Sequence, residues 1–125
     1  MDYFSWFVGI VEGEGCFSYN YSKNTPEFVI SMCDEDIIKG IAEYLNVSYR
    51  TFVPSGKNVK GGTYKTQHRI HICGRKAFAI AEYLEPYFYG RRKKQIQHIR
   101  ENYTYKTIHK EGYTPKPKKD LNLPF

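Results

Sequence analysis

The chain has 125 residues, of which 41% are hydrophobic and 26% charged, enough for one domain with its own core, and no run of 18 apolar residues that would span a membrane. Its formal net charge of +6 is unevenly placed: residues 1–62 hold 5 Lys/Arg against 8 Asp/Glu, and residues 63–125 hold 14 against 5. A basic half of this kind suits a nucleic-acid partner and no membrane, because cationic side chains gain by releasing counterions from phosphates.

The opening MDYFSWFVG has an acid and no basic region, so it does not read as a signal peptide. Asp2 is placed to cap a helix running to about Gly13, with Phe4, Phe7, Val8, Ile10 and Val11 as apolar cover. Gly15 then suits a left-handed position at the helix end. From Cys16 the period becomes two, with Phe17, Tyr19 and Tyr21 expected under the helices and Ser18, Asn20 and Ser22 on the opposite face. A turn around Asn24, Thr25 and Pro26 leads to a second strand, Phe28 to Met32, whose Val29 and Ser31 share that opposite face. Asp34 caps a second helix through about Leu45, with Asn46 as its terminator.

Tyr49 to Val53 reads as a third strand and PSGKNVKGG, Pro54 to Gly62, as a flexible basic hairpin loop. The fourth strand, about Tyr64 to Cys73, places Lys65, Gln67, Arg69 and His71 on one face and Thr66, His68, Ile70 and Ile72 on the other. After Gly74 a helix runs from about Arg75 to Leu84, Pro86 ends it, and a last helix begins after Gly90 with RRKKQIQHI. Beyond Tyr103 the chain turns polar and reads as a linker or mobile arm. The expected division is a domain over 1–102 and a basic tail over 103–125. Cys16, Cys33 and Cys73 have neither metal-ligand spacing nor a disulfide framework, and are expected as buried or half-buried thiols in a reducing compartment. His68, His71, His98 and His109 likewise show no metal-binding spacing.

The order αββαββα with an appended helix predicts an α+β fold: a four-stranded antiparallel sheet, helices on one face, the other face open. Such a sheet can enter a major groove roughly 12 Å wide and set polar side chains against base edges. The candidate readers are Ser18, Asn20, Ser22, Asn24, Ser31, Lys65, Gln67, Arg69 and His71.

The first helix carries the densest chemistry. Gly9 and Gly13 lie four apart, on one helical face. Each costs roughly 1 kcal/mol against alanine in a helix interior, and small residues so spaced let two helices approach closely. Glu12 and Glu14 flank Gly13, and carboxylates are the hard ligands that Mg²⁺ prefers. A tight helix pair would bring one such carboxylate from each helix beside its counterpart.

The stretch FVGIVEGEG, followed by Cys16 and Phe17, resembles the motif of the LAGLIDADG homing endonucleases in its form ending GEG. HICGRKAFAIAEYLEPYFYGRRKKQIQHI is similar to that family's final strand, helix and basic end, so the resemblance covers roughly Ser5 to Arg100. It implies a saddle-shaped sheet and a homodimer joined through the motif helix at Gly9, Glu12 and Gly13. It also implies Mg²⁺-dependent cleavage of double-stranded DNA at a long pseudo-palindromic site. Glu14 would be the metal ligand, completed by backbone carbonyls such as that of Gly13, while Glu12 supports the helix end. Arg92, with Lys93 beside it, would stabilise charge at the phosphate. The family's setting is intracellular: an organelle, or a prokaryotic or phage cytoplasm. Arg92 stands where a lysine is expected, and Met32 where some relatives have a polar side chain. Those departures keep open a second reading, an RNA maturase on intron RNA or a binding protein without nuclease activity.

Overall fold

Side chains that alternate along a strand bury one face of a sheet and leave the other to solvent. The structure, a computed structural model, describes residues 2–54, 65–108 and 121–125. In it α1 (Tyr3–Glu14) passes directly into β1 (Gly15–Asn20), followed by β2 (Thr25–Met32), α2 (Glu35–Leu45), β3 (Arg50–Phe52), β4 (Gln67–Cys73), α3 (Arg75–Leu84) and α4 (Arg91–Ile108). The strands form one antiparallel sheet in the order β1–β2–β4–β3. Phe17, Tyr19, Phe28, Ile30, Ile70 and Ile72 face the helices and join Phe7, Val11, Ile38, Ile80, Leu84 and Ile96 in one core. The fold is the expected α+β one, with the other sheet face open.

Local chemistry explains most of the boundaries. Asp2 caps α1 by accepting the Ser5 amide at 2.8 Å. Asp34 caps α2 by accepting the amides of Asp36 and Ile37, and Asn46 ends it in the left-handed conformation at φ 57°. Within α1, Phe7 and Val11 lie four apart and are both fully buried.

Several expectations are corrected. Gly15 is extended, at φ −82° and ψ 168°, and not left-handed. Its reason is steric: a Cβ there would lie 2.8 Å from the Val11 carbonyl oxygen and 3.0 Å from Val11 Cγ1. Tyr21 does not pack under the helices. β1 ends at Asn20, so Tyr21 falls in the turn, 59% exposed, with its hydroxyl on His98 Nε2. Thr25 and Pro26 belong to β2, so the turn spans 21–24. β3 is shorter than expected. Most of the Pro54–Gly62 loop lies outside the described residues, and Lys65 and Thr66 precede β4, exposed.

The expected tail is also redrawn at its two ends; residues 109–120 lie outside the described residues. α4 continues to Ile108, and Tyr103 packs its ring 4.9 Å from that of Phe78. Leu123 and Phe125 pack against the core, Phe125 among the rings of Phe4, Phe7, Tyr44 and Tyr83 at 4.7–6.1 Å. Among the described residues, no helix is long and apolar enough to cross a membrane.

Gly15 and Gly9 should separate on substitution. Gly15→Ala forces a backbone clash and is expected to cost about 1–3 kcal/mol. Gly9→Ala, whose Cβ meets nothing within 4 Å, should stabilise the isolated chain by up to ~1 kcal/mol through helix propensity. Urea unfolding of the two variants beside the parent chain checks both signs.

Candidate nucleic-acid interface and acidic helix end

The open face follows from the strand registers. Ser18 stands opposite Glu27, which stands opposite Cys73; Cys16, Val29 and His71 form the next row, then Ser31, Arg69 and Arg50. Polar groups in these rows already engage one another. Asn20 Nδ2 donates to Glu27 Oε1 at 3.2 Å, and His71 Nε2 lies 3.5 Å from Glu27 Oε2. Arg69 Nε donates to Ser31 Oγ at 2.8 Å. Gln67 Nε2 donates to the Cys33 thiol at 3.0 Å.

Of the expected readers, Ser18, Asn20, Ser31, Gln67, Arg69 and His71 are therefore on this face. Ser22 and Asn24 are not: both lie exposed in the turn beyond β1. Lys65 lies exposed before β4. The thiols are corrected as well. All three cysteines are exposed, Cys16 and Cys73 because they neighbour Phe17 and Ile72, which occupy the covered face. Met32 alternates with Ser31 onto the covered side and packs against the core. His68, also on that side, is buried, with its Nδ1 2.9 Å from Thr51 Oγ1 and 3.3 Å from Glu35 Oε2. β3 adds two side chains that were not among the expected readers: Arg50 and Phe52 join the open face opposite Arg69 and Gln67. Their alternation with Thr51 and Val53 was the available signal.

The second feature lies where α1 ends. Glu12 Oε2 accepts the backbone amide of Tyr89 at 2.6 Å and that of Gly90 at 3.4 Å. This carboxylate thus ties the motif helix to the residues that start α4. Glu14 is exposed, and no described residue bonds to it. The two acids of the motif are divided between holding the structure and facing solvent.

α4 is fixed along β1. The Phe17 amide, on the outer edge of the sheet, donates to Gln95 Oε1 at 2.9 Å, and Tyr21 meets His98 further on. Arg92 stands one turn before Gln95, in the first turn of α4, just after Gly90, whose amide is tied to Glu12 near the end of α1. Its Nε is buried with no hydrogen-bond partner among the described residues. Lys93 beside it is half-buried, and Arg91 and Lys94 are exposed. Further along, Arg100 pairs with Glu85, whose carboxylate raises the guanidinium pKa and keeps the charge in place.

Among the described residues, no group of three His, Cys, Asp or Glu could hold an ion. At the end of α1 the Glu14 carboxylate has no bond to another described residue, and the Gly13 carbonyl is next to it in the chain. These are hard oxygen donors, suited to Mg²⁺ but too few to enclose it. Gly9 and Gly13 are exposed, and a Cβ built on either meets nothing within 4 Å.

No family model matches the sequence, and no curated protein matches it. The fold is shared with an intron-encoded homing endonuclease of archaeal origin. That structure, I-Vdi141I complexed with DNA, superposes with a TM-score of 0.53 at 16% identity, covering 94% of this chain and 91% of the other. At that identity the likeness is one of fold.

The Glu12 tie has a direct readout. Glu12→Ala should raise hydrogen exchange at the Tyr89 and Gly90 amides about tenfold, for a loss of ~1.4 kcal/mol of local protection. Amides in β2 should be unaffected, as two-dimensional NMR can show.

Proposed function

We propose that this protein is a DNA endonuclease of the LAGLIDADG type, cutting double-stranded DNA at a long pseudo-palindromic site as a homodimer with Mg²⁺. The observation that carries this reading is the division of labour at the end of α1. Glu12 is spent on holding the start of α4, and Glu14 is left free beside a polar open sheet. A shared fold with a DNA-bound homing endonuclease supports the same reading.

In this mechanism the open sheet seats the duplex and positions a phosphate at the Glu14 end. Two copies of α1, packed through Gly9 and Gly13, bring their Glu14 carboxylates together, and each Gly13 carbonyl adds an oxygen donor. A divalent ion held there would supply Lewis-acid charge to the phosphodiester. Arg92 adds a permanent positive charge at the same end, opposing the negative charge that grows on the phosphate. Arginine is a poor proton donor, so its part is electrostatic. Lys93 is the candidate for any proton that must move.

Cleavage of a randomised double-stranded DNA library with Mg²⁺ tests the reading, with Glu14→Gln alongside. The parent protein should cut, and Glu14→Gln should lose on the order of a thousandfold in rate, ~4 kcal/mol, while still binding DNA. Specific DNA binding with no cutting by the parent protein would favour a reader without nuclease activity. Tight binding of intron RNA instead would favour a maturase. The dimer has its own check. Gly13→Leu should halve the sedimenting mass, and a variant that stays dimeric with full activity would move the interface elsewhere.

A further inference from the structure

β3 and β4 set two arginines directly opposite each other on the open face, since Arg50 and Arg69 are register partners. Like charges so placed destabilise a sheet, and among the described residues neither has a carboxylate partner. Both stand instead over a single ring: Arg69 Cζ is 4.6 Å and Arg50 Cζ 5.4 Å from the centre of Phe52. An open groove of about 220 Å³ lies beside them, lined by Ser48, Tyr49, Arg50, Arg69 and His71. Glu27, the acid of this face, is engaged elsewhere by Asn20 and His71.

The arginines are not equivalent. Arg69 is half-buried and held twice, by the Phe52 ring and by its Nε–Ser31 hydrogen bond of 2.8 Å. That bond fixes the guanidinium plane and leaves both Nη groups without a partner among the described residues. Arg50 is exposed and, among the described residues, has only the ring.

We propose that this groove is a base-reading site in which Arg69 recognises one guanine per half-target and Arg50 contacts a neighbouring backbone phosphate. The proposal rests on the duplex-DNA partner argued above. Bidentate recognition of guanine O6 and N7 needs planar donors fixed in advance, which is the state of Arg69. A phosphate contact needs charge more than orientation, which suits the freer Arg50. An anionic partner also relieves the repulsion between the two guanidiniums. A lysine at position 69 would keep the charge and lose the fork.

The test is selection from a randomised duplex library by the parent protein, Arg69→Ala, Arg69→Lys and Arg50→Ala, followed by affinities for the selected site and its single-base changes at several salt concentrations. The parent protein should select guanine at one position in each half-site. Arg69→Ala should flatten that position, losing roughly 5- to 150-fold in discrimination, the range of one bidentate pair, and Arg69→Lys should not restore it. Arg50→Ala should weaken all sequences alike and reduce the slope of log K against log salt by about 0.9. If Arg69→Ala weakens binding evenly and the guanine preference survives, Arg69 is a phosphate contact and the assignment falls, with DNA binding intact. If the parent protein binds no duplex even at low salt, the DNA reading fails and this site fails with it.

Discussion

The absence of room at Gly15 is the constraint on which the rest depends. A Cβ there would meet the Val11 carbonyl at 2.8 Å, so the motif helix can run into the sheet with no linker. The junction places Glu14 at a fixed point, the last helical residue before the edge strand. It also sets which face each residue of β1 occupies, because a slip of one position would turn Phe17 outward and Ser18 inward. The close approach of Val11 to the Gly15 backbone thus positions both the acidic end of the helix and the polar face of the sheet.

The site is kept in place by groups that give up reactivity to do so. Glu12 binds two loop amides, Gln95 satisfies an edge amide of β1, and Glu85 holds Arg100. Together they tie α4 to the end of α1, to β1 and to the end of α3, and so hold its first turn, with Arg92, near the acidic end of α1. Much of the open face is likewise engaged internally before any partner arrives, the Arg50 and Arg69 guanidinium ends excepted. Asn20 and His71 share Glu27, Ser31 holds Arg69, and Cys33 holds Gln67. A polar partner that reaches Asn20, His71 or Gln67 would have to exchange their bonds for its own. In the proposed DNA complex a mismatched partner would leave groups unpaired, and that loss would be the source of discrimination.

What was legible in the sequence is what local chemistry decides. The caps at Asp34 and Asn46 were readable because a cap satisfies groups within its own turn. The alternation in β4 was readable because a period of two can serve only one buried face. Gly15 was misread because glycine marks two different needs, a left-handed backbone or a missing Cβ, and only the position of Val11 tells them apart. Tyr21 continued the alternation by residue type after the strand had ended. Phe125 was hidden in a polar stretch, since its partners Phe4, Phe7, Tyr44 and Tyr83 lie far away in the chain. The cysteines were placed by the average habit of thiols, although the neighbours Phe17 and Ile72 already assigned Cys16 and Cys73 to the opposite face.

Gly9 and Gly13 remain as a cost without a return in the single chain. Each weakens α1 by roughly 1 kcal/mol against alanine, and neither is needed to make space, since a Cβ at either meets nothing within 4 Å. Gly15 differs from them, for its glycine is explained inside the chain. A helix end that carries an unengaged Glu14 beside a bare glycine face lacks two things at once, more oxygen donors and a surface to close on. In the proposed dimer a second copy of the same helix would supply both, bringing its own Glu14 as its glycine face closed against the first. That joint requirement links the proposed dimer to the proposed chemistry more tightly than either feature would alone.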